Sequence, residues 1–154
     1  MTLVQNELAV ALLGDQTRFE GPSRSLYYRW FTDPEERAHY PADEHARHAR
    51  SSVADLRAVY GRDRDDTEAR ELVELLLAES EEVARLWDDH EVAVRRDTHK
   101  RVIHPTIGVV ELDCQILIAQ NQTECLVVLT AAPGSEDAAR LELLGVVGNE
   151  TFAS

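Results

Sequence analysis

The chain has 154 residues, 44% hydrophobic and 29% charged, which suits one soluble globular domain that needs no disulfide or metal to hold it. Lysine and arginine number 16 against 29 aspartates and glutamates, a net charge of −13, so a polyanion such as DNA is repelled over most of the surface. No apolar run approaches the roughly 20 residues of a membrane span, and Met1 to Val10 lacks the basic start of an export signal, so a cytoplasmic location is expected.

The first half reads as helices. Asn6 caps a short helix over Glu7 to Leu13, with Gly14 as its stop. Ser23 starts a second, in which Leu26, Tyr27, Trp30 and Phe31 put a bulky face on one side. Asp33-Pro34-Glu35-Glu36 combines a cap, a first-turn proline and a glutamate three after the cap. The clearest helix carries Ala46, Ala49, Val53, Leu56 and Tyr60 on one stripe and is expected to end at Gly61. Asp66 or Thr67 opens another with Leu72, Val73, Leu76 and Leu77, and Ser80 caps one bearing Val83, Leu86 and Trp87.

After His90 the period changes to two. Val92 and Val94 alternate with charged neighbours, as do Val110, Leu112, Cys114, Ile116 and Ile118 against Glu111, Asp113 and Gln115. Asn121-Gln122 offers a turn, and Cys125 to Ala132 forms a more apolar strand that Pro133-Gly134 breaks. Ser135 then opens a closing helix through Leu141 and Leu144. Helices followed by an antiparallel meander and a terminal helix indicate an α+β fold. Cys114 and Cys125 read as free thiols buried in apolar strands, with a disulfide between them as the alternative.

Chemistry does not assemble along this chain. His45 and His48 stand three apart on a helix, without the four-residue spacing and intervening glutamate of zinc hydrolases, and no Cys-x-x-Cys supplies further ligands. They read as a solvated helix face, and no metal or cofactor is expected. No nucleophile elbow, activated cysteine or phosphate loop is present, so the chain is not expected to be an enzyme. What remains is aromatic surface on helices suited to packing over a sheet, a common way to close an apolar cavity.

An ordered set of short motifs carries a resemblance. It comprises Trp30-Phe31-Thr32-Asp33-Pro34, Tyr40-Pro41, Val53-Ala54-Asp55-Leu56-Arg57, and Leu86-Trp87 followed by His90 and Val92. It continues through Lys100, His104-Pro105, Gly108, Leu112-Asp113 and Pro133-Gly134-Ser135. In order and spacing, from Asn6 to Leu144, the chain resembles the MmyB-like ligand-binding domain of actinobacterial XRE-family helix-turn-helix regulators. The resemblance implies a PAS-like antiparallel sheet with several helices packed on one face and a C-terminal helix. It also implies that residues 1–154 form the sensor of a transcription regulator for a fatty acid or other small apolar molecule. DNA is then reached only through an N-terminal helix-turn-helix domain that this chain does not contain. Two departures go with it: a first strand is expected to be already under way at Thr2 to Gln5, and Val83 stands where relatives often have phenylalanine.

A ligand cavity is accordingly expected between the helices carrying Trp30, Phe31, Leu56 and Trp87 and the strand carrying Leu112 and Cys114. Its mouth is expected near Arg95, Arg96, Lys100, Arg101 and His104, because an acidic protein binding an anionic amphiphile must place cations locally. Within that segment Arg101 is the expected headgroup contact. A neutral His104 is expected either to hold a backbone carbonyl or to line the cavity. The other function class is a ligand-free dimerisation module, with a homodimer as its product.

Overall fold

The computed structural model describes residues 1–62, 66–89, 98–120 and 124–151, and in them local capping chemistry sets most element boundaries. In α1 (Glu7–Leu13) the Asn6 side chain accepts from the Ala9 N–H at 2.8 Å, and Gly14, at φ 75°, turns the chain out. Gln5 braces that turn, donating to the Gly14 carbonyl at 3.2 Å and accepting from the Gln16 N–H at 2.7 Å. Thr2 to Gln5, where a strand was expected, belong to no strand. Gln5 spends its side chain on the loop after α1 instead.

The helix expected from Ser23 begins two residues later. Gly21–Arg24 first form a 3₁₀ turn around Pro22, and Ser25 then caps α2 (Leu26–Thr32). Asp33 ends α2 and caps α3 (Pro34–Ala38), its side chain accepting from the Glu35 N–H at 2.9 Å. Gly61 does not stop the next helix, α4 (His45–Arg62), but lies inside its last turn, since a glycine at helical φ is tolerated where nothing competes for its backbone. Asp66 caps α5 (Thr67–Glu79). Ser80 serves two helices: its N–H closes α5 on the Leu76 carbonyl, and its hydroxyl caps α6 (Glu81–Asp88) at the Val83 N–H.

The strands are β1 (His99–His104), β2 (Gly108–Ile118) and β3 (Cys125–Thr130), antiparallel in the order β1-β2-β3. Gly108, at φ 76°, completes the turn after Pro105, and His104 pairs with Gly108 through to His99 with Asp113. Asp113 pairs with Thr130 and Ile118 with Cys125 at the other ladder. β3 stops at Thr130, two residues short of the expected Ala132. Ser135 accepts from the Ala138 N–H and opens α7 (Glu136–Thr151), which runs beyond Leu144. Val92, Val94 and the Asn121-Gln122 turn lie outside the described residues.

The chain therefore has the expected α+β class, an antiparallel sheet and a closing helix, and it forms two compact units. The first, Met1–Leu3 with Thr17–Arg96, holds α2 to α6. Its core is Val53 and Leu56 of α4, Val73 and Leu76 of α5, and Val83 of α6, each at most 4% exposed. Pairs three residues apart on α4 and α5 meet Val83 of α6 here, as one apolar stripe per helix requires. The second unit, Val4–Gln16 with Asp97–Ser154, holds the sheet, α1 and α7. Leu12 of α1, Val102, Val110, Leu112 and Cys114 of one sheet face, and Leu144 of α7 are its buried residues, joined by Ile107 of the turn. Cys125, expected to be buried, is exposed, opening β3 opposite Ile118 at the far end of the β2–β3 ladder.

Candidate ligand site

Of the four helical residues expected to line a cavity, three come together. Leu56 is part of the buried cluster, and Phe31 and Trp87 pack against it with Tyr27, Tyr60 and Leu86. Val83, small where the family often carries phenylalanine, is fully buried in the same cluster. The Trp87 ring meets Tyr60 edge-on at 5.7 Å, and the Arg57 guanidinium lies 5.0 Å from its centre while donating to the Trp87 carbonyl. The partners of α6 are thus helical, α4 and α5.

Trp30, next to Phe31 on α2, belongs to a second cluster. Residues 30 and 31 are about 100° apart around a helix, so neighbouring rings serve different faces. Trp30 is 4% exposed and meets Tyr40, His45 and His48 at ring distances of 5.6, 5.5 and 5.4 Å. Arg37 lies 5.2 Å from the indole, donates to the Trp30 carbonyl at 2.7 Å and pairs with Glu82. His45 Nε2 donates to the carbonyls of Arg37 at 3.0 Å and Tyr40 at 2.9 Å, tying α3 to the start of α4. His48 and Arg47 both hold the Glu44 carboxylate, at 3.4 and 3.2 Å. His45 and His48 were expected on a solvated face; their contacts make them structural.

The indole N–H of Trp30 is buried, and no hydrogen-bond acceptor meets it among the described residues. A buried donor without a partner costs about 1–3 kcal/mol, and most buried polar groups are paired. An acceptor brought from outside the chain relieves that cost.

A buried ion pair braces this region, and sequence reasoning missed it. Arg29 donates to Glu36 at 2.8 Å and to the Ser23 carbonyl at 2.5 Å, and its guanidinium lies 4.0 Å from the Phe19 ring centre. Its signal was the short break at Asp33-Pro34, which folds α3 back so that two residues seven apart meet.

On the sheet, the register distributes the remaining residues. Leu112 and Cys114 share the buried face with Lys100, Val102 and His104. Arg101 pairs with Glu111 and so stands on the opposite face. A one-residue step along a strand reverses a side chain, which is why a cluster of basic residues in sequence is not one patch in space. His104 uses both ring nitrogens: Nε2 donates to the Ala11 carbonyl at 3.1 Å, and Nδ1 accepts from the Thr106 N–H at 3.2 Å. That fixes its tautomer and makes it the link between β1 and α1. Arg95 and Arg96 lie outside the described residues.

No helix among the described residues is long and apolar enough to cross a membrane. No curated protein and no solved structure matches the chain significantly. The family model for the MmyB-like transcription regulator ligand binding domain matches residues 1–144. That is a family of regulatory ligand-binding domains rather than of enzymes. The match spans the capped helices, the aromatic clusters and the whole meander, and the chain belongs to the MmyB-like transcription regulator ligand binding domain family.

Proposed function

We propose that this chain senses a small apolar molecule bearing one polar head, a fatty acid in the first instance, for a DNA-binding regulator acting in the cytoplasm. The observation that carries this reading is the buried, acceptor-less N–H of Trp30 in a domain of a ligand-binding family. A carboxylate oxygen satisfies that donor, and the Arg37 guanidinium, 5.2 Å from the indole, supplies a positive neighbour. Trp30, Phe31, Leu56 and Trp87 are the proposed ligand residues of the helical unit. Leu112, Cys114 and His104 are the proposed residues of one face in the sheet unit, with Lys100 added because it shares that face, and Arg101 is the proposed headgroup contact on the other face. An acyl tail gains about 0.8 kcal/mol per methylene it buries.

The ligand must favour one of two conformations to act, since equal affinity for both shifts nothing. Thermal melts with saturated acids from decanoic to octadecanoic test the reading. Near-saturating ligand should raise the melting temperature by about 5 °C or more, as selective binding to the native state requires. Trp30→Phe keeps an aromatic ring, smaller than the indole, and removes the donor, and is expected to reduce that shift. Loss of the shift in Lys100→Ala or Arg101→Ala instead places the head on β1. No shift with any acid rejects the fatty-acid reading.

A further inference from the structure

β1 and β3 are the two edges of the sheet among the described residues, and they are built differently. β1 opens with His99-Lys100-Arg101 and is followed by Pro105, the charges and proline that keep an edge from pairing. β3 reads Cys-Leu-Val-Val-Leu-Thr, with no charge, proline or glycine. Such a run is apolar towards both faces, which is the composition of an interior strand. Leu126 and Val127 are nonetheless 60% and 52% exposed.

The exposed surface continues around that edge. Ile116 pairs with Val127 and Ile118 with Cys125, so these four share the sheet face that also carries Leu112 and Cys114. Ile116 and Ile118 are 41% and 61% exposed. On α7, Leu143 and Val146 stand three apart on one helix face at 55% and 63%. With Leu126 and Val127 these residues leave on the order of 600 Å² of apolar surface, at the upper end of the largest patch on a typical monomer.

We propose that β3 pairs antiparallel with β3 of a second copy, making one continuous sheet across a two-fold axis. An axis perpendicular to the sheet keeps each face continuous and pairs residues of the same face, so the ladder centres on a residue in the strand's middle. Centred on Val127, it sets Leu126 against Val128 and Cys125 against Leu129 of the second copy. Glu124 then meets Thr130, and no like charges stand opposite each other despite the chain's net −13. The same axis puts α7 of both copies on one side of the joined sheet, where the Leu143–Val146 stripe can cover Ile116 and Ile118. Two such patches total about 1,200 Å², the lower bound of a standard specific interface before the backbone ladder is counted.

The test is sedimentation velocity on the delipidated chain from micromolar to about 100 µM, so that it reads separately from the ligand proposal. The expected result is a species of twice the chain mass. Val127→Lys, which sets two ammonium groups opposite each other, and Leu126→Lys should each weaken association at least about tenfold. Ile103→Lys, on the other edge, should leave it unchanged. Hydrogen exchange is the second readout: β3 amides should gain protection as concentration rises, independently of any variant's folding. A wild-type chain that stays monomeric overturns the proposal. So does association that survives both β3 lysines, or β3 exchange that does not depend on concentration.

Discussion

Tyr28 donates its phenol hydrogen to Glu79 at 2.7 Å, joining α2 to the end of α5. That hydrogen bond, with a smaller contribution from burial and the carboxylate's charge, raises the Tyr28 pKa above the ordinary 10.0. The folded state thus favours the protonated phenol. Its contribution to stability is fully present below pH about 10 and is lost as pH rises through the raised folded value. Phenolate absorbance should therefore show one of the four tyrosines titrating late, a feature removed in Tyr28→Phe and shifted down in Glu79→Gln. Uniform titration of all four would mean that the bond to Glu79 is not made. The same scale shows what a residue type does not tell. His45, His48 and His104 look alike in sequence, yet each is bound to a different carbonyl or carboxylate.

Elements were legible where short-range chemistry sets them. Asn6, Asp33, Asp66, Ser80 and Ser135 each supply a side-chain oxygen to an N–H two or three residues on, and that bond depends on little beyond local sequence. Ser80 is the most demanding of them, being 8% exposed and shared by α5 and α6. Ser80→Ala is expected to cost about 1–2 kcal/mol in urea unfolding, the high end for a cap, because its hydroxyl meets the Val83 N–H beside a fully buried Val83. A loss below a few tenths of a kcal/mol would show that water replaces the cap. Elements were misread where a distant partner intervenes. Thr2 to Gln5 have a strand-like composition, but Gln5 is held by Gly14 and Gln16. Gly61 has the look of a stop signal, but α4 continues through it to Arg62.

At the scale of the whole molecule, charge is the clearest property. A net charge of −13 makes the electrostatic part of DNA binding unfavourable, since affinity for a duplex comes from phosphates neutralised by lysine and arginine. Anisotropy with a labelled duplex at low salt should show binding weaker than about 10⁻⁴ M, the weak end of ordinary non-specific binders. Micromolar binding would overturn this expectation. The segregation of helices and strands into two units is also a whole-chain property. α1, although it precedes five helices, packs with α7 in the sheet unit, where Leu12 and Leu144 are buried.

Periodicity, caps and turn residues determined from sequence alone that the chain is α+β, and they located seven helices and the apolar strands β2 and β3 within a few residues. Those signals act over one to four positions, within the reach of a hydrogen bond or a helical turn. Ordered motifs from Trp30 to Ser135 likewise identified the family. Tertiary structure alone decided which residues meet. It separated Trp30 from Phe31, set Arg101 on the face away from Leu112 and Cys114, exposed Cys125, and left the Trp30 N–H buried without an acceptor. Each of these depends on which face of an element finds a partner, and that partner is supplied by packing between segments distant in the chain.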